Sequence, residues 1–291
     1  MSMQVPKVYP AATSIRGREF AWGSRTFLMG VINVSQDSFS GDGVASIDEA
    51  VQRARTMVDQ GADIIDVGGE STRPGFQPAS TAAERDSVVP VIVRLVDDLD
   101  VPISVDTTKA EVARAALEAG ASIVNDVNGL RGNGRAAPTL ASVAAEHGAV
   151  VVAMHNQRDR PHLDVIGDIR TGLRESLAIA QRAGIAPDRV IVDPGFGFGW
   201  RVEQNLEILR RLPELRHVGR PILVGTSRKS TIGQVLDLPV GERLEGTAAT
   251  VALAIANGAD IVRVHDVKEM VRVARMADAI VRGWDPEGDG T

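Results

Sequence analysis

The sequence predicts a closed (β/α)8 barrel, an α/β fold of the TIM-barrel type, preceded by an N-terminal hairpin. Three observations carry this. A glycine followed by Ala or Ile, then a short apolar run, then polar residues recurs at Gly61, Gly120, Gly148, Gly184 and Gly258. Glycine just past a helix end takes the left-handed conformation without a Cβ penalty, so each marks a helix-to-strand junction. The apolar runs are rich in Val and Ile and hardly alternate, as strands buried on both faces of a parallel sheet should. Finally, 291 residues hold eight such units, and a single barrel takes roughly 250 residues.

Taken in order, residues 1–25 form an extension in which 11–25, with Gly17 and Gly23, read as a hairpin over the barrel bottom. The first strand lies in 26–34. Five more follow the five junction glycines, and 102–106 and 221–226 complete the eight. Ser46 with Glu49, Thr81 with Glu84 and Thr108 with Glu111 fit the S/T-x-x-E capping box and are expected to open helices. Alternating strands and helices imply parallel strands joined by crossover helices. The barrel is expected over 26–283, with a frayed tail at 284–291.

Composition narrows the function. Hydrophobic residues make up 44% and charged residues 24%, enough for a large core under a solvated surface. The net charge of −6, with no basic tract, argues against a nucleic-acid partner. Without cysteine there is no disulfide, thiolate zinc site or cysteine nucleophile. No run of about 18 apolar residues and no signal-like start is present, so no membrane partner and a cytoplasmic location are expected.

Barrel enzymes react at the C-terminal ends of their strands. There the sequence offers Asn33, then Asp106, Asn125 with Asp126, Met154 with His155, and Asp193 ahead of Gly195-Phe196-Gly197-Phe198-Gly199. The last three units add the loop after Gly225, with Lys229 and Ser230, then Arg263 and His265. Asp106, Asn125 and Asp193 can accept hydrogen bonds from a flat heterocycle with an amidine-like donor edge. Asn33, Thr72, Arg73, Arg263 and His265 are mostly donors and suit a phosphate or diphosphate, with Lys229 between the two sets. Asp126 reads as structural. The Gly-Phe-Gly-Phe-Gly run has the wrong spacing for a dinucleotide fingerprint and reads as a mobile loop near a flat ligand. Of Met154 and His155, adjacent in sequence, one points away from the lumen. No metal-ligand trio stands out, so a magnesium ion would rest on a few protein oxygens plus substrate phosphates, with Asn33 the plausible ligand.

Residues 29–40, 66–75, 104–107, 125–127, 154–155, 193–199, 227–230 and 263–266 resemble, in order, the signatures of the dihydropteroate synthases. Any one piece is weak; the ordered set is specific. The resemblance implies a homodimeric transferase that joins a dihydropterin diphosphate to p-aminobenzoate in folate biosynthesis, with Mg²⁺ as cofactor. It implies Lys229, Asp106, Arg73 and Asp193 as catalytic residues. Asn125, Met154 and Phe198 would take the pterin side and Phe39, Thr72 and Pro74 the aminobenzoate side, with Gly225 and Ser230 as further substrate-binding residues. Arg263 and His265 would take the pyrophosphate, with Asn33 near the metal. The loops depart from the family at Val34-Ser35-Gln36-Asp37 and Asn156-Gln157-Arg158. These departures leave open a sulfonamide-insensitive variant. A methyltetrahydrofolate-binding methyltransferase domain shares the barrel and carboxylates but needs neither the Ser-Arg-Lys-Ser segment nor the Arg-x-His end. A silent barrel would be expected to have lost part of the cationic set, which is intact.

Overall fold

A computed structural model of the chain describes residues 9–34, 46–69, 79–132, 139–156 and 164–284. Two short strands, β1 (Thr13–Ile15) and β2 (Arg18–Phe20), pair antiparallel across a turn at Arg16-Gly17. Eight parallel strands follow: β3 (Phe27–Asn33), β4 (Ile64–Gly68), β5 (Ile103–Asp106), β6 (Ile123–Asp126), β7 (Val150–Met154), β8 (Val190–Asp193), β9 (Leu223–Val224) and β10 (Ile261–Val264). From β3 to β8 each pairs with the next in sequence, and β10 pairs with both β9 and β3. The seam between β8 and β9 is closed by a bridge between Val192 and Ile222, with Val192 N–H donating to Pro221 O at 2.9 Å. The barrel is shut.

The helices among the described residues are α1 (Ile47–Asp59), α2 (Thr81–Asp98), α3 (Ala110–Glu118), α4 (Leu140–Glu146), α5 (Val165–Arg182), α6 (Val202–Arg211), α7 (Ser230–Leu236), α8 (Leu244–Ala256) and α9 (Val267–Arg282). All five junction glycines have positive φ, between 59° and 104°. Strand β9 is shorter than the 221–226 expected, and two helices rather than one follow it.

The apolar residues sort into two clusters. One fills the layer between strands and helices. The other occupies the barrel's lower interior, where Met29, Ile64, Ile123, Val152 and Ile261 meet Ile15, Phe20 and Trp22 from the hairpin. The hairpin therefore plugs the barrel bottom, as the sequence suggested. Trp22 Nε1–H donates to Thr13 Oγ1 at 2.9 Å, so the plug buries its indole without an orphaned donor.

At one of the three expected helix starts the predicted cap forms. Ser46 Oγ accepts from Glu49 N–H at 3.1 Å. Helix α2 is capped instead by Ser80, one residue earlier, and α3 starts after Lys109 with no side-chain cap. The reason lies in Glu84. Its carboxylate turns inward, accepts from Thr107 Oγ1 at 2.5 Å and pairs with Lys109 Nζ. Burying a charge requires a partner more urgently than a helix start requires a cap.

Candidate active site

Strand register brings the predicted residues to one rim. Asn33 lies beside Gly68, Gly68 beside Asp106, Asp106 beside Asn125, and Met154 beside Asp193. Inward-facing positions are apolar lower in the barrel and turn polar at this level. They line a cleft of about 480 Å³, counting the part open to solvent.

Acceptors occupy one wall. Asp106, Asn125 and Asp193 all line the cleft. Asp193 Oδ1 accepts from Gly195 N–H at 2.7 Å, which fixes the carboxylate and the following turn together. Gly195 is obligatory there: φ is +77°, and a Cβ would sit 1.9 Å from the carbonyl oxygen of His155. The glycine run expected to be mobile is held by bonds from Phe198 N–H to Gly195 O and from Gly197 N–H to Asn205 Oδ1. Phe198 thereby presents its ring under Lys229, whose Nζ lies 3.9 Å from the centroid.

Cations sit opposite. Arg263 donates through Nε to Asp66 Oδ2 and through Nη2 to Asp106 Oδ2, both at 2.7 Å. His265 holds Ser227 Oγ with its backbone N–H at 3.2 Å, and its Nδ1 lies 3.0 Å from the same oxygen. Burial pushes the Asp106 carboxyl up to about 7 against the pull of Arg263, with Asp66 adding to the rise. Burial likewise pushes Asp193 up to about 6, opposed by the Gly195 N–H, Lys229 and Arg263. Burial and then the nearby Arg263 charge lower Lys229 to about 8, while Asp193 and Asp106 hold it up. Groups with pKa values drawn toward neutrality, clustered in one cleft, mark a reactive site.

A family model described as "Pterin binding enzyme" matches residues 29–265. The dihydropteroate synthase of Bacillus subtilis is 47% identical over 279 residues, spanning 96% of this chain and 94% of that protein. The chain belongs to the dihydropteroate synthases. Among solved structures, the synthase of Clostridium difficile with pteroic acid is 50% identical, with a TM-score of 0.85 over 90% of this chain and 99% of that one. The synthase of Xanthomonas albilineans with 4-aminobenzoic acid is 39% identical, with a TM-score of 0.85 over 93% of this chain and 98% of that one.

Of the residues singled out in the sequence, Asp106, Asn125, Met154, Asp193, Phe198, Gly225, Lys229, Arg263 and His265 line the synthase cleft together. Asn33 stands at its edge, half-buried at the tip of β3, across Gly68 from Asp106. Ser230 opens α7, is exposed and does not line the cleft. Phe39, Thr72, Arg73 and Pro74 lie outside the described residues. Arg263 was grouped with the anion-binding donors; here two of its nitrogens are engaged by Asp66 and Asp106.

Met154 faces the cleft. His155 is fully buried on the other side, packed on Gly172 of α5 and near the Trp200 ring. Asp126 is structural, accepting from the backbone N–H groups of Asn128 and Leu130. Asp66, Ser227, Val127 and Phe196 fall inside motifs of the sequence that suggested no individual role for them. Asp66 had a visible signal: a lone carboxylate inside the apolar run Ile64-Ile65-Asp66-Val67.

Proposed function

We propose that the cleft holds a dihydropterin diphosphate and p-aminobenzoate and joins them into dihydropteroate, the reaction for which the family is named. The observation that carries this is the facing of three acceptors, Asp106, Asn125 and Asp193, by the Lys229 ammonium in one buried cleft. A dihydropterin offers N–H donors along one ring edge and a carbonyl near them, and that wall offers the complement. Related synthases have been solved with pteroic acid or with 4-aminobenzoic acid, which supports this pairing.

Asp106, Asn125 and Asp193 would bind the ring edge, Phe198 and Met154 would cover its faces, and Lys229 would donate to the ring carbonyl. The bond between the pterin methylene and the diphosphate oxygen breaks first, and pyrophosphate leaves with the electron pair. Electron density from the ring and the carboxylate field stabilise the electron-poor methylene. The aromatic amine then supplies its lone pair, a C–N bond forms, and the amine loses a proton. Positioning does the rest, and no covalent enzyme intermediate is required. Loop residues Phe39, Thr72, Arg73 and Pro74 would form the aminobenzoate side and exclude water.

His265 and Asn33 would face the leaving diphosphate, with Arg263 behind them. Among the described residues no cluster of three His, Cys, Asp or Glu could hold a metal. Asn33, however, supplies a neutral hard oxygen. That donor set fits a Mg²⁺ ion carried largely by the diphosphate and its waters. Such an ion would offset the leaving group's charge.

Dimerisation is supported by apolar side chains exposed on contacting helices α8 and α9, namely Leu253, Met276 and Ile280, a pattern that marks interaction surfaces. No described helix is long and apolar enough to cross a membrane. The test is turnover. Purified protein, the pterin diphosphate, p-aminobenzoate and Mg²⁺ should yield dihydropteroate and pyrophosphate; no product at any Mg²⁺ concentration would sink the reading. Repeating the assay with sulfamethoxazole decides between a sensitive and an insensitive enzyme.

A further inference from the structure

We infer that Asp66, a residue below the ligand cleft and outside it, is a positioning residue that sets which atom of Asn125 meets the pterin. Asp66 is fully buried on β4, one inward-facing position below Gly68. Its Oδ2 accepts from Asn125 Nδ2 at 3.0 Å and from Arg263 Nε at 2.7 Å. A carboxylate can only accept. Turning the Asn125 amide over would place two oxygens against each other where a hydrogen bond now lies. The amide is therefore locked with its nitrogen toward Asp66 and its oxygen left for the cleft.

That lock matters because the acceptor wall works only if all three of its members accept. An amide held by nothing could present either end, and one donor facing the ring's donor edge would weaken binding. The second contact extends the effect. Arg263 is held by Asp66 at Nε and holds Asp106 at Nη2, so one buried carboxylate aligns two members of the wall, one directly and one through the guanidinium.

This inference rests on the pterin-binding reading, and the experiment separates their failures. Affinity for pteroic acid is measured by calorimetry on the full chain for wild type, Asp66→Ala, Asp66→Asn, Asn125→Ala and the Asp66→Ala/Asn125→Ala double variant. Circular dichroism and thermal melting confirm the fold of each. No binding by the wild type would defeat the pterin reading itself. With wild-type binding in hand, Asp66→Ala should bind about tenfold more weakly. Asp66→Asn, which keeps an acceptor at the same place, should stay within about threefold of wild type. The double variant should lose clearly less than the product of the two single losses, because the direct part of the Asp66 effect runs through Asn125. Equal losses in Asp66→Ala and Asp66→Asn, or single losses that multiply in the double variant, would overturn the inference. Asp66→Val, closer to Asp in volume and favourable in a strand, takes the place of the alanine variant if that one does not fold.

Discussion

Asp106→Asn should stabilise the protein at neutral pH while destroying its activity. The wild-type carboxyl is pushed by burial up to about 7, against roughly 3.9 for an unfolded aspartate. Between those values the folded state holds a proton that the unfolded state has lost, so stability falls as pH rises and levels off above 7. Each pH unit in that window is worth about 1.4 kcal/mol, and between pH 5 and 7.5 the loss comes to about 2–3 kcal/mol. Asparagine carries no such proton and still offers an oxygen to Arg263. The stability difference between variant and wild type should therefore grow in the variant's favour by about 2–3 kcal/mol from pH 5 to 7.5. Urea unfolding at pH 5, 6 and 7.5 measures it. Parallel stability curves for the two proteins would refute the reasoning, because they would mean that Asp106 does not titrate in this range. Loss of kcat/KM by about 100-fold or more in the same variant would place the residue among those that trade stability for function.

Because Lys229 is lowered to about 8, its charge is present below that pH and lost above it. The kcat/KM profile should fall about tenfold per pH unit beyond 8, and Lys229→Arg should move that limb to higher pH if it retains turnover. Lys229→Ala and Arg73→Ala should each abolish product formation with an unchanged circular dichroism spectrum. Glu84→Ala would leave Lys109 and Thr107 without their buried partner and should lower stability by about 3 kcal/mol in urea unfolding. Trp22→Ala, which empties part of the hairpin plug, should cost about 3–5 kcal/mol of stability and leave KM unaltered, since it lies at the opposite end of the barrel from the cleft.

Much of this was legible in the chain because two periodicities are written into it. The junction glycines mark where backbone must take positive φ, and the unbroken Val and Ile runs mark strands covered on both sides. Together they fixed the strand count, and residues just past each run had to be at the rim. That is why Asp106, Asn125, Asp193, Lys229 and Arg263 are legible from the chain alone. What stayed hidden was pairing across the barrel. Asp66 meets Arg263 across 197 positions and Asn125 across 59. No local signal says that a carboxylate inside a strand finds those partners. The capping box expected at Thr81 failed for a related reason: Glu84 sits at the right spacing, but its tertiary partners Thr107 and Lys109 outcompete the helix end.

The most direct test of the acceptor wall and cationic face is a crystal structure with the unreactive product analogue pteroic acid and pyrophosphate bound. The pterin should lie with its donor edge on Asp106, the Asn125 oxygen and Asp193, its carbonyl toward Lys229, and pyrophosphate at the His265 and Asn33 side. A pterin seated elsewhere, or turned so that its carbonyl faces the carboxylates, would contradict the account.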